Sequence, residues 1–403
     1  MNTGQGYLAG HALSPAEIAR HQHDLLLGRA VGSAPWLIRA EARALVAVRL
    51  ARFAFPGAGV SGALCRFLAD RLNDGFTPAI PRSGIGCAGE VIPLAHAFQT
   101  IVGIGSVLDT AGGRVDAAAA LAAGGEERHR PRAKEGIALL AGSPGVTALA
   151  ILRAREGARL ARAHLLAVAC AADAAGVPVA PLSAAAGRAS ADPLLAGALE
   201  HLGSLLDGPG GGGSQAPVSF RVAPQLAAHL ARVVGRLEED ADRCLASGDD
   251  SPALVEGSFV STGAFHEIDL AAGGEASAQR THRMLDGRVT GLPDQLTPAP
   301  GPRCGLVVLH KRAVGAVHEM RRLAVPASLG SVDTSLGQED VQSFGFAAAD
   351  GLRRAQDLAR EVLAIELITA RQAWSLSGRP PAPGLAAVAA PLQDLVAPVV
   401  EDR

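Results

Sequence analysis

The sequence predicts an all-α fold, and three observations carry that expectation. Hydrophobic residues make up 48% of the 403 but aromatic residues only 3%, so the core must be built mostly from Ala, Leu and Val. Small side chains in long periodic runs favour closely packed helices over sheets. Helix punctuation is also visible, as in the capping signal Ser14-Pro15-Ala16-Glu17.

From Ser14 the first helix is expected to run to about Gly28, and Ala34–Phe55 forms an alanine-rich second whose arginines 39, 43, 49 and 52 mark the wetter side. Gly57–Gly62 is a turn and Leu64–Asn73 a third helix. Arg82–His96 is a glycine-rich turn opening into an apolar run, with Pro93 in the first helical turn, where a missing N–H costs little. Asp109–Arg132, rich in Ala, Gly and charge, is expected to be a surface linker. Thr147–Ala175 is apolar on most faces, so as a helix it needs neighbours on most sides. Asp207–Gln215 is the one flexible segment, a hinge or lid rather than a domain linker. No Gly-Lys-Ser/Thr follows its glycines, which excludes a phosphate-binding loop. The 225–245 stretch carries a helical stripe at 226, 230, 233, 234, 237, 241 and 244, and 249–252 is a turn. Asp350–Trp374 places Leu352, Ala355, Leu358, Val362, Ile365 and Ile368 on one face, and the tail after Pro380 is expected to be a loosely docked arm.

Composition narrows the function. A net charge of -2 gives no electrostatic argument for binding nucleic acid. Five scattered cysteines without a CxxC pair argue against disulfides or structural zinc and suit a reducing cytoplasm. No His/Asp/Glu cluster has metal spacing, so no metal is expected. The start shows neither a basic leader nor an apolar segment, and apolar windows such as Val91–Leu108 carry His96, Gln99 and Thr100. A cytoplasmic protein that acts on a small molecule and meets no membrane is the expectation.

The Arg82–His96 stretch contains Gly86-Cys87-Ala88-Gly89-Glu90-Val91-Ile92-Pro93-Leu94-Ala95-His96. It resembles the cofactor loop of the aromatic amino acid ammonia-lyases, the histidine and phenylalanine ammonia-lyases and their aminomutase relatives. Their pattern is Gly-Ala-Ser-Gly-Asp-Leu-Ala-Pro-Leu-Ala-His, and the Ala-Ser-Gly tripeptide cyclises to the electrophile MIO, a methylidene-imidazolone. Six further stretches resemble that family in the right order, covering nearly the whole chain. Asn2-Thr3-Gly4-Gln5-Gly6 is similar to its Asn-Thr-Gly-Phe-Gly, with the family's catalytic tyrosine falling upstream of Met1. Lys134-Glu135-Gly136-Ile137-Ala138-Leu139-Leu140-Ala141-Gly142 is similar to Lys-Glu-Gly-Leu-Ala-Leu-Leu-Asn-Gly. Gln215-Ala216-Pro217-Val218-Ser219-Phe220-Arg221 is similar to Gln-Asp-Pro-Tyr-Ser-Leu-Arg. Asp249–Pro252, Ser261–His266 and Ser331–Asp340 complete the series, the last with two residues deleted.

The resemblance implies a long antiparallel helix bundle of the ammonia-lyase (fumarase/aspartase-like) type and a homotetramer with active sites shared between chains. A single domain spanning 1–403 would comprise an N-terminal part (1–110) with a degenerate cofactor loop, a central bundle (134–375) and a C-terminal arm (376–403). It also shows what is missing. Cys87-Ala88-Gly89 replaces the cyclising tripeptide, Gly28-Arg29 stands for a Ser-His pair that lines the family's site, and Ala141 for the asparagine that holds the MIO carbonyl. Val218 replaces the second catalytic tyrosine, Ala264 an asparagine, and the chain's only tyrosine, Tyr7, falls at neither motif position. MIO is therefore not expected. Shifting the register by one would centre Cys87, which could lose sulfide to give a dehydroalanine, but the fixed spacing to Pro93–His96 argues against it.

Retained by the resemblance are Arg221, which clamps the substrate carboxylate in the family, and Glu339, its active-site glutamate. Gln338, Phe265, His266, Val218 and Asn2 are candidate substrate contacts, and Cys87 is a candidate thiol nucleophile at a helix N-terminus. His266 as a core histidine, Glu339 as a structural partner and Cys87 as a packing residue stay open alternatives. His96 is expected to be structural. An enzyme without MIO would catalyse a non-deaminating addition/elimination, isomerisation or cyclisation of a small carboxylated metabolite in specialised biosynthesis. A catalytically inactive assembly or regulatory partner is the second expectation, and a deaminating lyase with an unexpectedly formed cofactor the third.

Overall fold

The computed structural model describes residues 3, 10–55, 57–87, 89–132, 134–207, 215–247, 253–255, 258–260, 271–327, 334, 342 and 344–401. In chain order these form α1 (Pro15–Leu27), α2 (Arg39–Arg52), α3 (Gly62–Asn73), α4 (Val91–Gln99), β1 (Ser106–Leu108), β2 (Arg114–Asp116) and α5 (Ala117–Ala123). Next come α6 (Glu135–Leu140), α7 (Pro144–Ala175), α8 (Ala184–Arg188), α9 (Pro193–Leu205), α10 (Val218–Arg221) and α11 (Ala223–Ala246). The hairpin β3 (Ala253–Val255) and β4 (Ser258–Val260) precedes α12 (Ala271–Met284), α13 (Gly287–Thr290), α14 (Val307–Leu323), α15 (Gly345–Ser377) and α16 (Ala386–Leu395). Strands among the described residues are two short antiparallel pairs, and the fold is all-α.

The chain forms two compact units, one of 1–153, 237–267 and 326–350, the other of 154–236, 268–325 and 351–403. In the first, α1 begins as its sequence says, with the Ser14 hydroxyl taking the Glu17 N–H and the Glu17 carboxylate taking the Ser14 N–H. Its Leu25 and Leu26 join Leu64, Leu94 and Phe98 in a core of fully buried side chains. Two stretches differ from expectation. The second helix starts at Arg39, because Trp36 pairs with Pro81 and the Leu37 N–H donates to the Ile80 carbonyl at 2.8 Å, holding 36–38 extended. The expected linker 109–132 contains the end of a hairpin and α5. There the Asp116 side chain accepts from the Ala119 N–H at 2.9 Å while Ala117 and Leu121 are buried.

In the second unit α7 and α11 approach so closely at Gly157 that a Cβ there would lie 2.7 Å from Val234 Cγ2. Ala278, Val317, Met320 and Val362 bind α12, α14 and α15 into one cluster. The C-terminal arm is docked rather than loose: Leu385 is fully buried and the Gln372 amide exchanges two hydrogen bonds with the Val399 backbone, at 2.8 and 2.9 Å. Residues 135–175 include a window long and apolar enough to cross a membrane, and 61% of that window is buried, the environment of a core helix.

Candidate active site

The degenerate cofactor loop lies in the first unit and hangs between two buried anchors. At its start Arg82 donates to Glu41, Nη2 to Oε2 at 2.5 Å, and to Asp350 at 3.2 Å, while Arg153 holds the other Glu41 oxygen at 3.1 Å. Glu41 is 1% exposed, so two guanidinium groups share one desolvated carboxylate. At its end Glu90 reaches the start of α7, accepting from the Gly145 N–H at 2.6 Å and the Val146 N–H at 2.7 Å. A carboxylate there satisfies orphan donors and complements the helix dipole. Between the anchors the chain is more exposed, and Gly84 takes a positive φ of 76° that only glycine adopts readily.

Within this loop the Cys87 thiol donates to the Gly89 carbonyl at 3.0 Å. The helix begins only at Val91, with Glu90 as its N-cap, so Cys87 lies three residues before the cap and outside the first turn. The thiol-activating position expected from the sequence is not the one it occupies.

A cavity of ≈ 180 Å³ opens beside the loop, lined by Arg29, Gly89, Glu90, Val91, Ile137, Leu140, Ala141 and Gly142. It brings Gly89, the last residue of the loop tripeptide, together with two positions at which the sequence departs from the ammonia-lyase pattern, Arg29 and Ala141. Arg29 follows the C-cap of α1, and its Nη1 donates to the Leu25 carbonyl at 3.5 Å. Burial pulls its pKa below the usual arginine value. Among the described residues it has no ion pair.

The Lys134-Glu135-Gly136 motif behind the cavity is a structural knot. Lys134 Nζ donates to the Ala58 carbonyl at 2.8 Å. Burial alone would raise the Glu135 carboxyl, but hydrogen bonds from His129 at 3.0 Å and from the Ser61 and Arg132 N–H groups at 3.1 and 2.8 Å outweigh it, holding the pKa at about 2. His96 is buried, 6.0 Å from the Trp36 ring, with its pKa lowered by burial and only partly restored by the Val31 carbonyl, as a structural histidine should be.

Arg221 belongs to the second unit. It ends α10, is half-buried, and its Nε donates to the Ala216 carbonyl at 3.0 Å. Val218, the first residue of the same turn, is 58% exposed. Beneath it Arg280 Nη1 donates to the Ser219 carbonyl at 3.4 Å while the rest of that guanidinium pairs with Glu366, both side chains fully buried. Ser277 donates to the same Glu366 at 2.5 Å, and the His164 Nδ1 lies 3.5 Å from Arg280. Burial, reinforced by Arg280 and partly opposed by the Ala223 carbonyl, lowers the His164 pKa to about 3.

Glu339, Gln338, Phe265, His266, Asn2 and Ala88 lie outside the described residues, as do 208–214 of the hinge or lid segment and the motif stretches 249–252 and 261–266. No group of three or more potential metal ligands occurs among the described residues. Sequence reasoning missed Glu90 as the cap of α7, Arg280 beneath the Arg221 turn, and Arg29 as a group in its own right. An isolated carboxylate opening an apolar helix is a signal for the first; the other two depend on residues 60 or more positions apart in the chain.

The chain matches the model of the aromatic amino acid lyase family over residues 1–394. It is 32% identical over 411 aligned positions to the histidine ammonia-lyase of Streptomyces coelicolor, covering 96% of this chain and 80% of that one. The histidine ammonia-lyase of Sorangium cellulosum is also 32% identical, with 100% and 84% covered. The crystal structure of tyrosine aminomutase from Streptomyces globisporus superposes with a TM-score of 0.92 at 27% identity, covering 100% of this chain and 84% of that one. A match along nearly the whole length, joined to the loop and cavity where the motifs fall, establishes that the chain belongs to the aromatic amino acid lyase family.

Proposed function

We propose that this family member works without MIO, catalysing a non-deaminating acid–base reaction on a small carboxylated metabolite. The observation that carries the reading is the donor set around the loop. MIO would arise from a central serine, and Cys87-Ala88-Gly89 offers no hydroxyl there. The Cys87 thiol is directed at the Gly89 carbonyl, Ala141 brings no side-chain donor to the cavity, and Arg29 occupies the place of a neutral ring. These residues do not fit the group. Without a strong electrophile the β-proton of an amino acid is far too weak an acid for an ordinary carboxylate to remove, so an already activated substrate is the better match. Addition/elimination, isomerisation and cyclisation are the reaction classes left open, and specialised biosynthesis suits such a departure. Arg221 is proposed to bind the substrate carboxylate and Glu339 to move the proton, both on the resemblance to the family. Assembly as a homotetramer is proposed on the same ground.

Intact mass of the purified chain, with peptide mapping across Arg82–His96, tests the reading. The expected mass is that of the encoded residues. A loss of two waters, or of water plus hydrogen sulfide, localised to Gly86–Gly89 would overturn it and restore a deaminating lyase. If the mass is as encoded, Arg221→Gln separates an enzyme from an assembly partner. An enzyme loses substrate binding, whereas a non-catalytic partner keeps its assembly and its role in cells.

A further inference from the structure

We propose that the cavity beside the degenerate loop is an anion site organised by Arg29, taking the acidic head of a small ligand whose apolar body lies against Val91, Ile137 and Leu140. The inference rests on the reading above for the ligand's role as substrate, but the binding itself can be tested apart from turnover.

The argument begins with an unbalanced charge. A guanidinium carries five N–H donors, and among the described residues Arg29 uses one, in a long bond to the Leu25 carbonyl. Its burial costs hydration, and no carboxylate compensates within ion-pair distance among the described residues. The acidic residue that shares the cavity, Glu90, directs its two oxygens at the N–H groups of Gly145 and Val146. The remaining lining residues carry no side-chain charge. A cation in a mostly apolar concavity, with the one acid that shares the lining engaged by backbone N–H groups, is an arrangement that binds a carboxylate through the guanidinium fork.

The position adds meaning. Where the resemblance puts a histidine and an asparagine beside an electrophile, this chain presents a permanent positive charge at Arg29 and an alanine, Ala141, in place of the amide. The charge suits substrates that carry a second negative group, besides the carboxylate proposed for Arg221. The space left by Ala141 and by the small loop residues suits a ring or a branched chain.

Benzoate is the probe, because it joins a planar carboxylate to a rigid apolar body, and benzamide is its uncharged counterpart. Isothermal titration of the full chain should show saturable benzoate binding, with benzamide at least tenfold weaker. Arg29→Gln should weaken benzoate at least tenfold, and Arg29→Lys should recover part of the loss. Ala141→Leu, which fills the cavity without touching the charge, should also abolish binding, so the test survives if Arg29→Gln fails to fold. Absence of saturable benzoate binding would overturn the proposal. So would equal affinity for the two probes, or unchanged benzoate affinity in Arg29→Gln or in Ala141→Leu. Loss in Arg221→Gln with retention in Arg29→Gln would place the carboxylate elsewhere and also overturn it. An encoded mass with no Arg29 dependence sinks this inference alone. A dehydrated loop with intact Arg29 dependence sinks the MIO-less reading alone.

Discussion

His164 and Gly136 show how single positions carry constraints that no spacing announces. Gly136 sits where a Cβ would come within 2.1 Å of the Gln22 carbonyl oxygen, so the glycine of Lys134-Glu135-Gly136 exists to let α6 rest on α1. Its two neighbours tie the same corner to 58–61 and His129. His164 is buried neutral beside Arg280, with a folded pKa of about 3 against 6.5 for a solvated histidine. The folded value lies below the unfolded one, so between them the unfolded state binds the extra proton. Stability is therefore full above about pH 6.5 and falls as pH drops toward 3, by roughly 2 kcal/mol at pH 5 from this residue. Thermal melting across pH 7 to 5 should show that slope, and His164→Asn should flatten it even if it lowers the melting temperature throughout. A slope unchanged in the variant would assign the acid sensitivity to other groups. Glu135 adds its own loss as pH falls from the ordinary glutamate value of 4.5 toward its folded pKa of about 2.

At the scale of elements, boundaries were legible wherever a local signal sets them. Ser14 and Glu17 close a capping box that can be read from four letters. The start of α2 could not be read in that way, because pairing with Ile80 and Pro81, over forty residues away, holds its expected first turn extended. The start of α7 depends on a residue 55 positions upstream, since Glu90 caps it through Gly145 and Val146. Replacing Glu90 with Ala should expose those two donors at a cost of about 2 kcal/mol. Hydrogen exchange should accelerate over 144–148 while the rest of α7 stays protected. Exchange unchanged in that turn would mean that another group had taken over the cap. The C-terminal arm is the opposite case. Its Pro- and Ala-rich composition suggests a loose tail, yet Leu385 and Ala389 find a core to enter and Gln372 pins Val399.

For the whole molecule, assembly is the property the chain's resemblance makes most specific. Light scattering is expected to report four copies of the 40.9 kDa chain. A monomer at micromolar concentration would remove the basis for active sites shared between chains. Arg221 and the Arg29 cavity lie in different compact units, each with its own buried core. Each is held by its own ion-pair network, Arg280–Glu366 beneath the first and Arg82–Glu41–Arg153 around the second. Breaking a buried pair by removing one partner leaves a desolvated charge, which is why such networks fix the turns they support.

The sequence alone determined the all-α class, the family, the order of its motifs, the absence of the loop serine and the valine that stands at 218 for a tyrosine. These are properties of composition, periodicity and local patterns, and they survive without knowing which residues meet. Only the tertiary structure decided that Gly89, Arg29 and Ala141 border one cavity, that Glu90 is engaged by α7, and that Arg29 has no ion pair among the described residues. The reason is physical. A charge is described by what compensates it, and compensation comes from groups brought together by packing, at chain separations that no local spacing encodes.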